Sequence, residues 1–196
     1  MNTTVLIKNY KLPQFNKEEI LRYAGCKEPT GDMEQLVDEC IRECEGVFTY
    51  KVCYCEVNVK ISEDEVDLLF MKTKSKSLIK NLAGCQKAVV FGATVGIGID
   101  RLIAKYGRSS PAKAVILQAI GAERIESLCG LFNEEIKGMY ENTHPRFSPG
   151  YGDLPVELQK DIFRLLDCPK NIGLSLNNSM MMSPSKSVTA IIGVKL

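Results

Sequence analysis

A single histidine, His144, stands in the 196 residues, and no two cysteines have the Cys-x2-Cys spacing. Zinc sites are usually built from closely spaced cysteine pairs or from cysteine with paired histidine, so the sequence supplies no framework for one. Charge of one sign is also lacking: 25 Lys and Arg face 24 Asp and Glu, a net charge of +1. So even a balance provides no field for a polyanion such as DNA. The longest nearly apolar run, residues 88–99, has 12 residues with three glycines, too short to span a bilayer. The start, Met-Asn-Thr-Thr-Val-Leu-Ile-Lys, has neither the basic opening nor the long apolar stretch of a signal peptide, and the expected compartment is the cytoplasm. No internal repeat, low-complexity tract or linker interrupts the chain, so one domain over residues 1–196 is expected.

What the sequence does have is cysteine, eight in all, at 26, 40, 44, 53, 55, 85, 129 and 168. Cys40 and Cys44 are four apart in an amphipathic helix pattern, and Cys53 and Cys55 alternate in a strand pattern. Both spacings put sulfur where small apolar residues belong, so reduced, buried thiols are expected. Radical iron–sulfur chemistry fits poorly, because Cys40-x3-Cys44 has no third cysteine two residues further on.

Asn16, with Glu19 three residues on, forms a capping box and predicts a helix ending at Gly25. Asp32 and Gln35 repeat the device ahead of a second helix, striped by Met33, Leu36, Val37, Cys40, Ile41 and Cys44 and stopped by Gly46. From Val47 the period is two. Cys53, Cys55, Val57, Val59 and Ile61 face one way and Tyr54, Glu56, Asn58 and Lys60 the other, a half-buried strand with one wet face. Residues 66–71 are its expected partner after the turn Ser62-Glu63-Asp64. A short basic helix at 77–82 and a buried strand at 88–94 come next, then a helix on Ile99, Leu102, Ile103 and Tyr106 closed by Gly107. Ser110 before Pro111 starts a long helix carried by Leu117, Gly121, Ile125, Leu128, Phe132, Ile136 and Met139. Residues 142–153 hold two prolines and two glycines and make a rigid loop. Asp153 is expected to cap a helix with Leu158, Ile162, Leu165 and Leu166, and the chain from Asn171 alternates around Pro184 as a terminal hairpin. Strands and helices do not alternate throughout. The expectation is an α+β fold, a twisted, mainly antiparallel sheet with helices packed on it and a long central helix.

Two loops carry candidate chemistry. Gly92-Ala-Thr-Val-Gly96-Ile-Gly98 follows a buried strand and opens a helix, where glycines let backbone amides approach a pyrophosphate. Its Gly-x3-Gly-x-Gly spacing resembles the nucleotide loop of short-chain dehydrogenases, which would make the chain a nucleotide-dependent oxidoreductase. Against that, roughly 90 residues precede the loop where it should follow a first strand, and the one Tyr-x3-Lys pair, Tyr23 and Lys27, lies upstream. The 98 residues beyond Gly98 also lack repeated strand–helix units. Close packing at a strand-to-helix turn is the favoured account.

The second loop is Arg146-Phe-Ser-Pro-Gly150-Tyr151. A guanidinium on a loop stiffened by Pro145 and Pro149 presents a fork of donors to a carboxylate. The glycine lets backbone approach a ligand and the tyrosine adds an aromatic face, so the set suits an amino-acid-like small molecule. With this loop go Leu165-Leu166-Asp167, Ile172-Gly173-Leu174-Ser175-Leu176 and Ser179-Met-Met-Met182-Ser-Pro184-Ser-Lys-Ser187-Val188. Together these motifs resemble the reactivation domain of cobalamin-dependent methionine synthase over about residues 115–193, and less specifically over the N-terminal helices.

The resemblance implies a stand-alone reactivation subunit of a split methionine synthase. Such a domain binds S-adenosylmethionine and caps a cobalamin-carrying polypeptide whose cofactor has slipped to cob(II)alamin. A reduced electron carrier, flavodoxin in the known systems, supplies one electron, and methylcobalamin is restored. Carried over by motif, Arg146 contacts the ligand's carboxylate, Ser148 offers backbone contacts where the pattern usually has Ala, Gly150 lines the site, and Tyr151 sits between ligand and corrin. Glu126, eight residues before Glu134, matches a ligand-binding acid of the family or serves as a salt-bridge partner. Phe147 and Gly152 stand where the family usually has proline, and the family's N-terminal acid near the adenosyl group has no counterpart that can be placed. No catalytic residue is implied, His144 is expected to be a spacer, and Met180 to Met182 are either a soft contact face or ordinary strand packing.

Overall fold

The structure, a computed structural model, describes residues 4–11 and 14–196, so the first three positions of the N-terminal start lie outside the described residues. Strand β1 (Leu6–Tyr10) precedes helices α1 (Lys17–Tyr23) and α2 (Gly31–Glu43). Strands β2 (Tyr50–Asn58), β3 (Lys60–Ile61), β4 (Val66–Asp67) and β5 (Lys72–Thr73) lead to helix α3 (Lys76–Asn81) and strand β6 (Lys87–Thr94). Helices α4 (Gly98–Ser109) and α5 (Pro111–Met139) are joined through Ser110 and pack against each other, with Pro111 in the first turn of α5. Strand β7 (Asn142–Thr143) and a long loop then reach α6 (Gln159–Leu166) and α7 (Cys168–Ile172). Strands β8 (Ser175–Leu176), β9 (Met182–Ser183) and β10 (Ser187–Lys195) complete the order.

The main sheet runs β1-β2-β6-β10-β7 with every neighbouring pair antiparallel. Alternation along its strands sends side chains to two separate cores. On one face Val52, Tyr54, Phe91, Ala93, Ala190 and Ile192 pack beneath α1, α2, α4 and α5. Phe132 of α5 fills the centre of this layer, its ring 4.8 Å from that of Phe91 and 5.1 Å from that of Tyr54. On the other face Cys53, Cys55, Ala88, Val90 and Ile191 pack beneath α3, α6 and α7. This is the α+β arrangement expected, with the 29-residue helix α5 as its spine.

Local chemistry explains the element boundaries, including those that depart from the sequence pattern. Asn16 caps α1, its side chain accepting from the Glu19 N–H at 3.2 Å. Helix α2 is capped by Thr30, which accepts from Met33 N–H, rather than by Asp32. Strand β2 has no fully wet face over residues 52–55: it lies between β1 and β6 with helices above and below, so Tyr54 is buried and only Glu56 and Asn58 are exposed. Its expected partner is reduced to β4, which pairs with β3 in a separate small sheet. Helix α4 continues past Gly107 to Ser109, because Gly107 keeps an ordinary helical backbone. The terminal hairpin is the short pair β8–β9, while β10 enters the main sheet between β6 and β7. Ser75 is the N-cap of α3, accepting from the Leu78 N–H at 3.1 Å, and Asp153 bonds the Lys76 and Ser77 amides of that same end instead of capping the helix that follows it.

Candidate ligand-binding cleft

Strand β10 is covered along only part of its outer edge. Val194 and Lys195 pair with β7, the His144 N–H donates to the Gly193 carbonyl at 2.9 Å, and Phe147 and Ile191 exchange two bonds of 2.8 Å. There the ladder ends among the described residues. In an antiparallel strand, alternate residues turn their N–H and C=O to the same side. Ser187 and Thr189 therefore offer theirs on the side where Ile191 meets Phe147. A cleft of about 390 Å³ opens at this point. Glu126 and Val188 border it on the α5 face, Arg146, Phe147, Ser148 and Pro149 along the edge, and Gln159, Ser187 and Thr189 on the α6 face.

The loop that walls the cleft is braced from several directions. Asn81 Nδ2 donates to the Pro145 carbonyl at 3.0 Å. The Asp153 carboxylate accepts from Ser75 Oγ at 2.5 Å and from the N–H groups of Lys76 and Ser77 at 2.8 and 3.1 Å. The Ser75 hydroxyl, with the Ser77 and Lys76 amides, holds the Asp153 carboxyl well below the usual carboxylate range. Gly152 has φ +56°, and a Cβ there would stand 2.6 Å from Ser77 Oγ, so this glycine lets the loop close on α3. Phe147 uses its N–H in the bridge to Ile191, a bond that proline could not donate. The two departures from the family's usual prolines are thus part of this chain's own bracing.

Arg146 lies half-buried at the edge, with Nη2 2.5 Å from Glu126 Oε2. Burial pulls its pKa down, but Cys129 and Glu126 beside it outweigh that and the net shift is upward. A guanidinium has five donors, so the bond to Glu126 and the contact with the Cys129 thiol still leave donors available to the cleft. Ser148 and Tyr151 also line the hollow, and Tyr151 is 68% exposed at its mouth. Gly150 lies behind the wall: it has φ +91° and donates its N–H to the Leu154 carbonyl at 2.9 Å, shaping the turn that presents Tyr151. Arg146, Ser148, Tyr151 and Glu126 therefore converge, and Glu126 is both a salt-bridge partner and part of the lining.

A family described as "Vitamin B12 dependent methionine synthase, activation domain" matches residues 76–195, more than half of the chain and all of the cleft. This chain belongs to that family. Among solved structures, the MetH reactivation domain bound to AdoHcy has the same fold, with a TM-score of 0.71 and 13% identity over 98% of this chain and 78% of that one. No curated protein matches.

In this activation domain the glycine loop at 92–98 is a packing device. A Cβ on Gly96 would fall 2.2 Å from Thr49 Oγ1, one on Gly98 2.2 Å from the Val47 carbonyl oxygen, and one on Gly92 3.2 Å from Cys168 Sγ. Each of these glycines stands where a side chain would strike a neighbouring segment, so packing accounts for all three. His144 ties the loop to α3 through Nδ1 and the Asn81 carbonyl. Met182 lines the cleft, while Met181 is 63% exposed. No helix among the described residues is long and apolar enough to cross a membrane.

Gln159 and Thr189 escape motif reasoning altogether. Both line the cleft, and the side-chain oxygens Gln159 Oε1 and Thr189 Oγ1 are buried without a hydrogen-bond partner. Each had a faint signal. Gln159 takes the first of the buried positions 159, 162, 163 and 166 of α6, and Ser187 and Thr189 alternate in an otherwise apolar strand.

Proposed function

We propose that this activation domain binds S-adenosylmethionine in the cleft beside β10 and supports reductive methylation of a cobalamin carried by a separate methionine synthase polypeptide. The observation that carries the reading is a half-buried guanidinium with donors to spare, facing a hollow that also holds two orphaned oxygens. The relative of the same fold was solved with AdoHcy, the demethylated form of that ligand. When bound, S-adenosylmethionine supplies an electrophilic methyl group, the partner's cobalamin accepts it, and a reduced carrier such as flavodoxin provides one electron.

The chain's own residues position and shield. Arg146 holds the ligand's α-carboxylate with the fork that Glu126 leaves free, and Glu126 fixes the guanidinium while turning its other oxygen toward the α-ammonium. Ser148 offers backbone contacts along the wall, and Gly150 provides the turn. Tyr151, exposed at the mouth, stands between ligand and corrin and excludes water from the transfer line. Methyl transfer from a sulfonium depends on an in-line approach at near-attack distance, which a braced loop provides without an acid–base pair. The cytoplasm, where thiols stay reduced, is the compartment proposed for this cysteine-rich chain.

The test is a titration with S-adenosylmethionine and with NADPH while the melting temperature is followed. At 100 times its dissociation constant the true ligand stabilises the fold by about 2.7 kcal/mol, a rise of roughly 5–10 °C for a chain of this size. S-adenosylmethionine is expected to produce that rise and NADPH none; the reverse pattern, or silence with both, overturns the reading. The partner claim is tested in trans. The chain, S-adenosylmethionine and reduced flavodoxin, added to a cobalamin-loaded methionine synthase lacking its own activation domain, should restore the methylcobalamin spectrum.

A further inference from the structure

The cleft has a second pole on the side away from Glu126. Gln159 is 7% exposed and Thr189 2%, and neither Gln159 Oε1 nor Thr189 Oγ1 has a partner. Buried oxygens left without partners are destabilising, and two that line one hollow form a preset demand for donors from a ligand. Their chemistry differs. An amide oxygen only accepts, whereas a hydroxyl both donates and accepts. Beside them the backbone of Thr189 faces the open edge of β10, and Phe147 and Met182 provide apolar walls. Apolar walls ending in an acceptor and an amphoteric hydroxyl suit a flat heterocycle whose rim carries an amine next to a ring nitrogen.

We propose that Gln159 and Thr189 recognise the amine-bearing edge of a purine, at the end of the ligand remote from Arg146. Gln159 Oε1 accepts from the exocyclic amine, and the Thr189 hydroxyl pairs with the neighbouring ring nitrogen. The ligand then wraps the open strand edge, its carboxylate held on the α5 side and its base on the α6 side. This assignment rests on the S-adenosylmethionine reading and adds the side chain that selects adenine over hypoxanthine.

Calorimetric titration with S-adenosylhomocysteine and with S-inosylhomocysteine, which carries oxygen in place of the amine, tests it. The unaltered chain should bind the adenosyl compound roughly fivefold to tenfold more tightly, the scale of one neutral hydrogen bond lost at a buried acceptor. Gln159→Leu should abolish the preference, Thr189→Val should weaken both ligands alike, and Arg146→Ala should weaken both with the preference intact. Equal affinities in the unaltered chain, or a preference that survives Gln159→Leu, overturn the adenine pole and leave the S-adenosylmethionine reading standing. Failure of the unaltered chain to bind the adenosyl compound overturns both. Should Gln159→Leu lose its folded circular dichroism spectrum, the two affinities of the unaltered chain decide the matter alone.

Discussion

Arg146 does two things with one guanidinium: it bonds Glu126 and it faces the cleft. The division decides what its removal should do. Glu126 is 42% exposed, so water can solvate the carboxylate left behind, and Arg146→Ala should fold normally. Binding of S-adenosylmethionine should weaken by about 1.5–3 kcal/mol, the scale of hydrogen bonds to charged groups. Calorimetry that gives unchanged affinity would remove Arg146 from the site. Phe147 allows a complementary forecast. Replacing it with the proline usual in the family removes the donor to the Ile191 carbonyl and leaves a buried acceptor unpaired, a loss of about 1–3 kcal/mol in urea unfolding. At this scale the sequence was legible where a motif concentrates chemistry, as in Arg146, Ser148 and Tyr151. Gln159 and Thr189 were not, because spacing gives at most their burial, whereas being partnerless is a property of packing between α6 and β10.

Among the elements, the cleft loop depends on a helix distant in sequence. Asp153 bonds Ser75, Lys76 and Ser77, 78 to 76 positions away, so its support of the N-terminal end of α3 could not be found from the residues beside it. Folding lowers the pKa of this carboxyl. Its contribution is therefore complete above the unfolded value, about 3.9, and is lost as pH falls through the folded one. Asp153→Ala should melt below the unaltered chain at pH 7, and the gap should narrow as both are acidified below about pH 4; a constant gap would show that the charge contributes nothing. Glycines give a sharper contrast. Gly107 looks like a helix stop in the sequence, yet it is an exposed interior position of α4 with open space around its missing Cβ. Gly107→Ala should stabilise the fold by about 0.5–1 kcal/mol. Gly98→Ala should destabilise it by about 1–3 kcal/mol, because its Cβ would strike the Val47 carbonyl. Starts such as Ser110-Pro111 were legible because a cap acts on its own neighbours. The burial of β2 was not, since that depended on which strands came to flank it.

Across the whole molecule, one sheet separates two cores, and six of the eight cysteines are divided between them. Cys40, Cys44 and Cys129 lie in the layer beneath α5, Cys53, Cys55 and Cys168 in the layer beneath α6 and α7, and Cys26 is the one cysteine that is not buried. Burial raises the thiol pKa to about 11 at Cys40 and to about 12 at Cys44, Cys55 and Cys129. The thiolate is the reactive form, so these groups are protected both by access and by protonation. A disulfide reagent at pH 8 should label Cys26 quickly and the other cysteines only through opening of the fold, with all eight reacting in denaturant. Because the cleft is lined by Glu126 of α5 and Gln159 of α6, a ligand seated in it clamps both layers to the edge of β10. Bound S-adenosylmethionine should then slow the labelling of Cys129 and of Cys168 together, as peptide mass spectrometry would resolve. Protection of one layer alone would mean that the ligand grips a single face and that the cleft does not join the two halves of the molecule.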